Sequence, residues 1–348
     1  MKFDFIIGNP PYQDETLGDN KGFAPPIYDK FIDAAYGVAD VVELIHPARF
    51  LFNAGSTPKI WNEKMLQNRH FKILEYESDS SKYFSSASIM GGIAISYFDR
   101  EKDFGEIGFF SPFNELRSIR EKVISQDDYK SIQECIWIQT RFNLRVLFED
   151  HPEAKDGIGS NGKDSRFEKN IFQKVPIFTE KPTNDDDIRT LGIGESRKRE
   201  WRYIQRKYVD DTQKNLMSFK VIMSVSNGAA GNLGDQPVRI IGDSELGEPG
   251  DGYTRSFIGI GDFKEKKEAT NCQKYLRTKL ARVMIGIMKT TQMLNPDVWK
   301  FVPVQNFADS SDIDWTRSVE DIDKQLYAKY GLNEKEIAFI ESHVKEMA

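Results

Sequence analysis

Cysteine and histidine are scarce in this chain: Cys135 and Cys272 stand alone, and His46, His70, His151 and His343 are scattered over 348 residues. Neither set has the close spacing of a zinc site or a disulfide framework, so the sequence offers no metal centre, and its cysteine usage suits a reducing, cytoplasmic setting. Long hydrophobic runs are missing too. No stretch approaches the length of a membrane span, and the first ten residues lack the basic start and apolar core of a secretory leader. An excess of positive charge is also absent. With 48 Lys and Arg against 54 Asp and Glu, the net charge is −6, so only local clusters could meet a polyanion. There is no internal repeat or low-complexity tract. The length suggests two domains, each large enough to bury a core.

What is present begins at once. Phe3-Asp4-Phe5-Ile6-Ile7-Gly8 reads as an apolar strand and runs directly into the turn Asn9-Pro10-Pro11-Tyr12. A buried strand in a parallel sheet delivers such a turn at a fixed height, and Gly8 lets the backbone bend sharply before it. Pro10 and Pro11 carry no amide hydrogen, which stiffens the turn and leaves its carbonyls to face a ligand. The Asn9 side-chain oxygen and the Pro10 carbonyl can each accept a hydrogen from one amino group. Two such bonds localise a nitrogen lone pair that the ring of adenine otherwise delocalises, so methyl transfer to that nitrogen rests on positioning and polar preorganisation. Tyr12 is placed to stack on a base swung out of the duplex.

Further along, residues 13–24 are polar and contain glycine, as expected of a mobile loop over a site. Ile27, Phe31, Ile32, Ala35 and Tyr36 recur at helical spacing behind Pro25-Pro26, and residues 41–45 read as the next buried strand. A helix over 61–66, a strand over 70–76 and a strand over 89–98 follow, so strand and helix alternate as in one half of a doubly wound α/β sheet. After about Phe104 the segments shorten. Residues 118–150 read as largely helical, residues 264–289 as one long helix, residues 309–323 as an Asp-rich tail and residues 334–347 as a final helix.

Two stretches concentrate positive charge. Residues 197–220 hold eight Lys and Arg against three acids, with Trp201, Tyr203 and Tyr208 interleaved, and residues 264–300 hold nine against three. Such runs suit phosphate neutralisation, with base-edge contacts from the same region supplying sequence choice. The candidates are Arg197, Lys198, Arg199 and Arg202 in the first run. In the second they are Lys274, Arg277, Lys279, Arg282 and Lys289, with Thr291 and Gln292 in a following loop. Phe257-Ile258-Gly259-Ile260-Gly261-Asp262 has a Gly-X-Gly spacing but reads as a strand-end turn.

The Asn-Pro-Pro-Tyr strand-turn, the strand end Ile45-His46-Pro47-Ala48-Arg49-Phe50, and the C-terminal run from Tyr275 through Thr290-Thr291-Gln292 to Lys300-Phe301-Val302-Pro303 together resemble an adenine-specific DNA methyltransferase of restriction-modification systems. The resemblance implies residues 1–117 as the catalytic half of a Rossmann-like methyltransferase sheet. Residues 118–348 become an α+β target-recognition domain with a helical linker and a helical tail. It further implies that Asn9, Pro10, Pro11 and Tyr12 hold the flipped adenine, and that an aromatic from a later loop, Phe84 or alternatively Tyr83, closes the other side of the ring. S-adenosyl-L-methionine is the implied donor. No Gly-rich donor turn precedes the opening strand, so a partner subunit carrying that motif is expected, with double-stranded DNA as substrate. The competing readings are a non-catalytic DNA-binding remnant or specificity subunit, and methylation of an RNA base or a glutamine side chain.

Overall fold

The computed structural model describes residues 2–14, 24–85, 89–210, 212–234 and 236–347. They fall into two units, Met1–Ser118 and Ile119–Ala348. Most of the stretch read as a mobile loop, residues 15–23, lies outside the described residues.

In the first unit, β1 (Phe3–Gly8), β2 (Ala39–Pro47), β3 (Phe71–Glu77) and β4 (Ile93–Asp99) form one sheet in the order β1-β2-β4-β3. β1 pairs parallel to β2, with Phe5 opposite Val41 and Gly8 opposite Leu44, while β4 runs antiparallel to both β2 and β3. The crossover between β1 and β2 carries α1 (Tyr28–Val38), and that between β2 and β3 carries α2 (Lys59–Leu66). Parallel neighbours need such a helical crossover. Among the described residues between β3 and β4 there is one short 3₁₀ turn, Ser80–Lys82, and β4 returns antiparallel. The alternation in sequence predicts one half of a doubly wound α/β sheet; the sheet observed is mixed, with β1 and β2 parallel and β4 antiparallel to both its neighbours.

Period-two alternation sorts the side chains of this sheet. Val42, Leu44 and His46 of β2, Phe98 of β4 and Phe71 of β3 point to the face covered by α1 and α2. There they pack with Tyr28, Ile32, Phe50, Trp61 and Met65. On the opposite face Phe3, Phe5 and Ile7 are 47%, 50% and 71% exposed. The expectation of a buried opening strand is therefore corrected. Among the described residues β1 pairs with β2 alone and forms an edge of the sheet. Phe31, read as part of the buried stripe of α1, is likewise 45% exposed.

His46 is wholly buried beneath the C-terminal ends of these strands, stacked parallel to Tyr28. Its Nδ1 faces the Pro47 carbonyl at 3.1 Å, which can only accept, so Nδ1 carries the proton and Nε2 accepts from Ser96 Oγ at 2.8 Å. Burial holds the imidazole neutral and pulls its pKa down to about 4.

The second unit contains a three-stranded sheet, β10-β6-β7, and a four-stranded antiparallel sheet, β5-β11-β8-β9. Their strands are β5 (Ile136–Trp137), β6 (Ile188–Ile193), β7 (Arg199–Ile204), β8 (Phe219–Ser224), β9 (Ser244–Gly247), β10 (Asp251–Tyr253) and β11 (Phe257–Phe263). The stretch 118–150 is not largely helical. The helix Asn114–Ile124, which straddles the division of the units, ends where tertiary pairing takes over. Ile132 N donates to the Val302 carbonyl, Val304 N donates to the Lys130 carbonyl, and β5 joins β11. The expected long helix over 264–289 is two helices, Lys266–Arg277 and Lys279–Met288. Thr278 leaves helical geometry between them and caps Ala281 N, while Asp323 accepts from the amides of Lys279 and Leu280. A further helix, Val319–Lys329, stands where the tail was expected to be merely acidic.

Three cations are built into this unit. Lys220 is fully buried and donates to the carbonyls of Leu216, Glu248 and Asp251. Arg282 is equally buried, its guanidinium donating to the carbonyls of Arg277, Thr278, Arg239 and Lys345. Lys289 reaches the Gly231 carbonyl at 2.6 Å and Asn232 Oδ1 at 2.9 Å.

Two outcomes are expected. The folded-state pKa of His46 lies below the ordinary value of 6.5, so as pH falls the unfolded chain takes up its proton first. Stability present above pH 6.5 is lost down to about pH 4, by about 3 kcal/mol. Urea titrations at stepped pH should show this slope, and His46→Gln should flatten it. Arg282→Met leaves several carbonyls unsatisfied and should cost about 3 kcal/mol, whereas Lys198→Met on the exposed surface should stay within about 0.5 kcal/mol, both read from the urea midpoint.

Candidate functional site

The turn Asn9-Pro10-Pro11-Tyr12 leaves the C-terminal end of β1, beside the C-terminal end of its parallel neighbour β2, the side of an α/β sheet where ligands bind. Asn9 and Pro11 are exposed, and Pro10 and Tyr12 are half-buried. Among the described residues, neither the Asn9 side chain nor the Pro10 carbonyl is engaged in a hydrogen bond, so both acceptors stand ready. The segment beyond the turn is tied down through its backbone. Ile27 N donates to the Tyr12 carbonyl at 3.2 Å, and Asp14 N donates to the Pro25 carbonyl at 2.9 Å.

Tyr12 borders a cavity of about 310 Å³, lined also by Pro26, Tyr28, Arg49, Ser56 and Met90. That volume falls at the lower end of the range for small-molecule sites, about 300–1,000 Å³. The Tyr12 hydroxyl is buried without a hydrogen-bond partner, and burial raises its pKa. Tyr28 is also pushed up, to about 12, chiefly by burial, so its hydroxyl stays protonated and is bonded to Thr57. Phe84 lies against Tyr12 with ring centroids 6.3 Å apart and planes at 78°. The two aromatics are thus brought together, but edge to face; they do not form a parallel slot. Tyr83, the alternative, is turned away, its hydroxyl donating to the Glu75 carboxylate.

The basic residues divide by environment. Arg197, in left-handed geometry at φ 59°, and Lys198 form the exposed turn joining β6 to β7. Arg199 is paired with Glu245 at 3.0 Å, and Arg202 with Glu200 at 2.9 Å and Glu180 at 3.2 Å. In the second run most of the charge is used internally. Lys274 donates to the Trp315 carbonyl at 2.9 Å, Lys279 is paired with Glu341, and Arg277 is half-buried in the last turn of its helix. Arg282 and Lys289, expected at a DNA surface, are 0% and 2% exposed and hold carbonyls together; this reading is corrected. Thr291 Oγ1 accepts from Met293 N, while Gln292 is exposed and its carbonyl accepts from Asn227 N.

S-adenosylmethionine, the donor that the resemblance implies, finds no fitted cradle among the described residues. The Gly-X-Gly stretch lies in β11, antiparallel to both β5 and β8. A Cβ on Gly259 would fall 2.3 Å from the Tyr253 hydroxyl, and one on Gly261 would fall 2.1 Å from the Phe263 ring. These glycines make room for the protein's own aromatics. Among the described residues no cluster of His, Cys, Asp and Glu could hold a metal ion, and no helix is long and apolar enough to cross a membrane.

Sequence reasoning treated Arg49 only as part of a motif, yet its stem is held between Gly55 and Gly91, both at positive φ. Two glycines far apart in sequence gave no local signal of that packing.

Comparison with known proteins bears on this region. Residues 1–84 match the family model of the Eco57I restriction-modification methylase. Over 95 residues the chain is 33% identical to a Mycoplasma pneumoniae protein named an uncharacterized adenine-specific methylase, a match covering 27% of this chain and 22% of that protein. The chain thus spans about a fifth of the length of the curated relative it matches. The stretch from β1 through the Asn9–Tyr12 turn to Phe84 is similar in sequence to the restriction-modification methylases.

Proposed function

We propose that this chain takes part in methyl transfer from S-adenosylmethionine to the amino group of adenine in duplex DNA, within a restriction-modification system. The observation that carries the reading is the open Asn9–Tyr12 turn at the carboxyl end of β1, beside a base-sized cavity that Tyr12 borders. The Asn9 side-chain oxygen and the Pro10 carbonyl accept one hydrogen each from the amino group. Pro11 keeps the turn rigid, and Tyr12, with Phe84 against its edge, receives the ring of the extruded base. S-adenosylmethionine supplies the electrophilic methyl group.

The donor site is assigned to a further polypeptide segment, in the same or a partner chain, that packs against β1. The exposed Phe3, Phe5 and Ile7 support this, because parallel strands are normally covered on both faces, and among the described residues the outer edge of β1 is unpaired. DNA contacts are assigned to the exposed turn at Arg197 and Lys198, to Arg199 and Arg202 at the rim of the same hairpin, and to Gln292, with Thr291 beside it. A specificity subunit without catalysis is the second reading, favoured by the lack of a donor cradle among the described residues.

The chain mixed with the donor-binding half of a restriction-modification methylase, labelled S-adenosylmethionine and duplex DNA should place label on adenine. Asn9→Ala should lower that labelling at least about a hundredfold while DNA binding persists. Labelling undiminished in Asn9→Ala would refute the assignment. Salt-sensitive DNA binding with no labelling under any pairing would favour the specificity subunit.

A further inference from the structure

Arg49 follows the carboxyl end of β2 and borders the same cavity as Tyr12, which follows the carboxyl end of β1. Its aliphatic stem occupies a slot that exists only because two neighbours lack side chains. A Cβ on Gly91 would lie 2.4 Å from Arg49 Cγ, and one on Gly55 would lie 3.3 Å from Arg49 Cβ. Both glycines sit at φ near +90°, a conformation other residues rarely adopt. The slot therefore fixes the direction of the side chain. At its end the guanidinium is left over: Nε is buried without a partner, and among the described residues the guanidinium makes no hydrogen bond or ion pair, while the Arg49 carbonyl accepts from Ala54 N. Cations withdrawn from water are ordinarily paired. This chain does so elsewhere, with Arg189 held bidentately by Asp251.

We propose that Arg49 binds the phosphodiester next to the extruded adenine, so that Tyr12 holds the base while Arg49 holds its backbone. This rests on the adenine reading above and adds the anion that fixes the flipped nucleotide. A guanidinium presents a planar fork of N–H donors that matches two phosphate oxygens, which a lysine in the same slot could not do. Arg49 is a positioning residue; it touches the substrate backbone and not the reacting nitrogen.

The test is equilibrium binding, by fluorescence anisotropy, of the full chain to duplexes with a mispaired adenine, since a mispaired base costs less to extrude. A neutral methylphosphonate replaces, one at a time, the phosphates on the 5′ and 3′ sides of that adenine. The wild-type chain should lose about 10- to 100-fold in affinity at one of the two. Arg49→Gln and Arg49→Met should bind the unmodified duplex weaker by that same factor and show no further loss at that phosphate. Both keep an unbranched stem in the glycine slot, so that one of them preserves the fold. Arg49→Lys should regain part of the sensitivity.

If the variants remain as sensitive as wild type at both phosphates, or if wild type is sensitive at neither, Arg49 is not the phosphate contact, though the adenine reading stands. If the wild-type chain shows no preference for the mispaired adenine over a matched duplex, the adenine reading fails and this assignment with it.

Discussion

Parallel pairing of β1 with β2 is the constraint on which the candidate site depends. It sets Gly8 opposite Leu44, and β2 runs three residues further to Pro47, so the turn Asn9–Tyr12 leaves the sheet beside the last residues of β2, on the side where Arg49 follows. A slip of one residue would turn Ile6 away from the core and Phe5 into it, because side chains alternate across a strand. The buried cluster under the strand ends resists that slip. Tyr28, His46, Phe50 and Trp61 contact one another through stacked, tilted and edge-to-face arrangements, and aromatic pairs of this kind add about 0.5–1.5 kcal/mol each beyond their burial. The site is thus carried by strand ends over a rigid floor, with Asn9 itself left exposed.

The second unit shows why a charge count along a sequence is a poor guide to a binding surface. Lys220, Arg282 and Lys289 belong to its basic runs, yet all three are buried and spend their donors on backbone carbonyls. Burial lowers the pKa of Lys220 and of Lys289 to about 8 each, which is the mark of ammonium groups desolvated in the fold. In Arg189 the guanidinium is gripped by Asp251 and lies 4.2 Å from the centre of the Trp201 ring, so an interleaved aromatic that reads as a nucleic-acid contact is a cation–π partner inside the protein. Of the candidates named for DNA contact, Arg197 and Lys198 at the tip of one hairpin remain exposed.

Much of the first unit was legible because its signals are local. Apolar spacing at Ile32, Ala35 and Tyr36 marks α1, the apolar run over residues 41–45 marks β2, and the two prolines after Asn9 mark the turn. What was not legible depends on neighbours distant in sequence. The reversal of β4 goes with the absence of a crossover helix among the described residues before it, and the break at Thr278 follows from a cap supplied by Asp323, 45 residues later. The helix Val319–Lys329 did leave a trace, Ser318 three residues before Asp321 with acids in the first turn, a capping pattern hidden within an Asp-rich composition. The slot for Arg49 left none, since it needs Gly55 and Gly91 together.

The uncovered face of the first sheet bears on what this unit can do alone. An isolated edge with Phe3, Phe5 and Ile7 exposed is a poor end state for a soluble sheet, because the unpaired backbone of β1 invites strand addition and the apolar side chains favour whatever covers them. A chemical argument leads to the same edge. The turn Asn9–Tyr12 offers acceptors for an amino group but nothing that would hold a cationic methyl donor, and the Gly-rich stretch elsewhere in the chain is filled by Tyr253 and Phe263. A donor delivered along the direction of the β1 edge would arrive beside Asn9, at the carboxyl end where β1 terminates. In the proposed reading, one added segment meets both needs, completing the sheet physically and the reaction chemically.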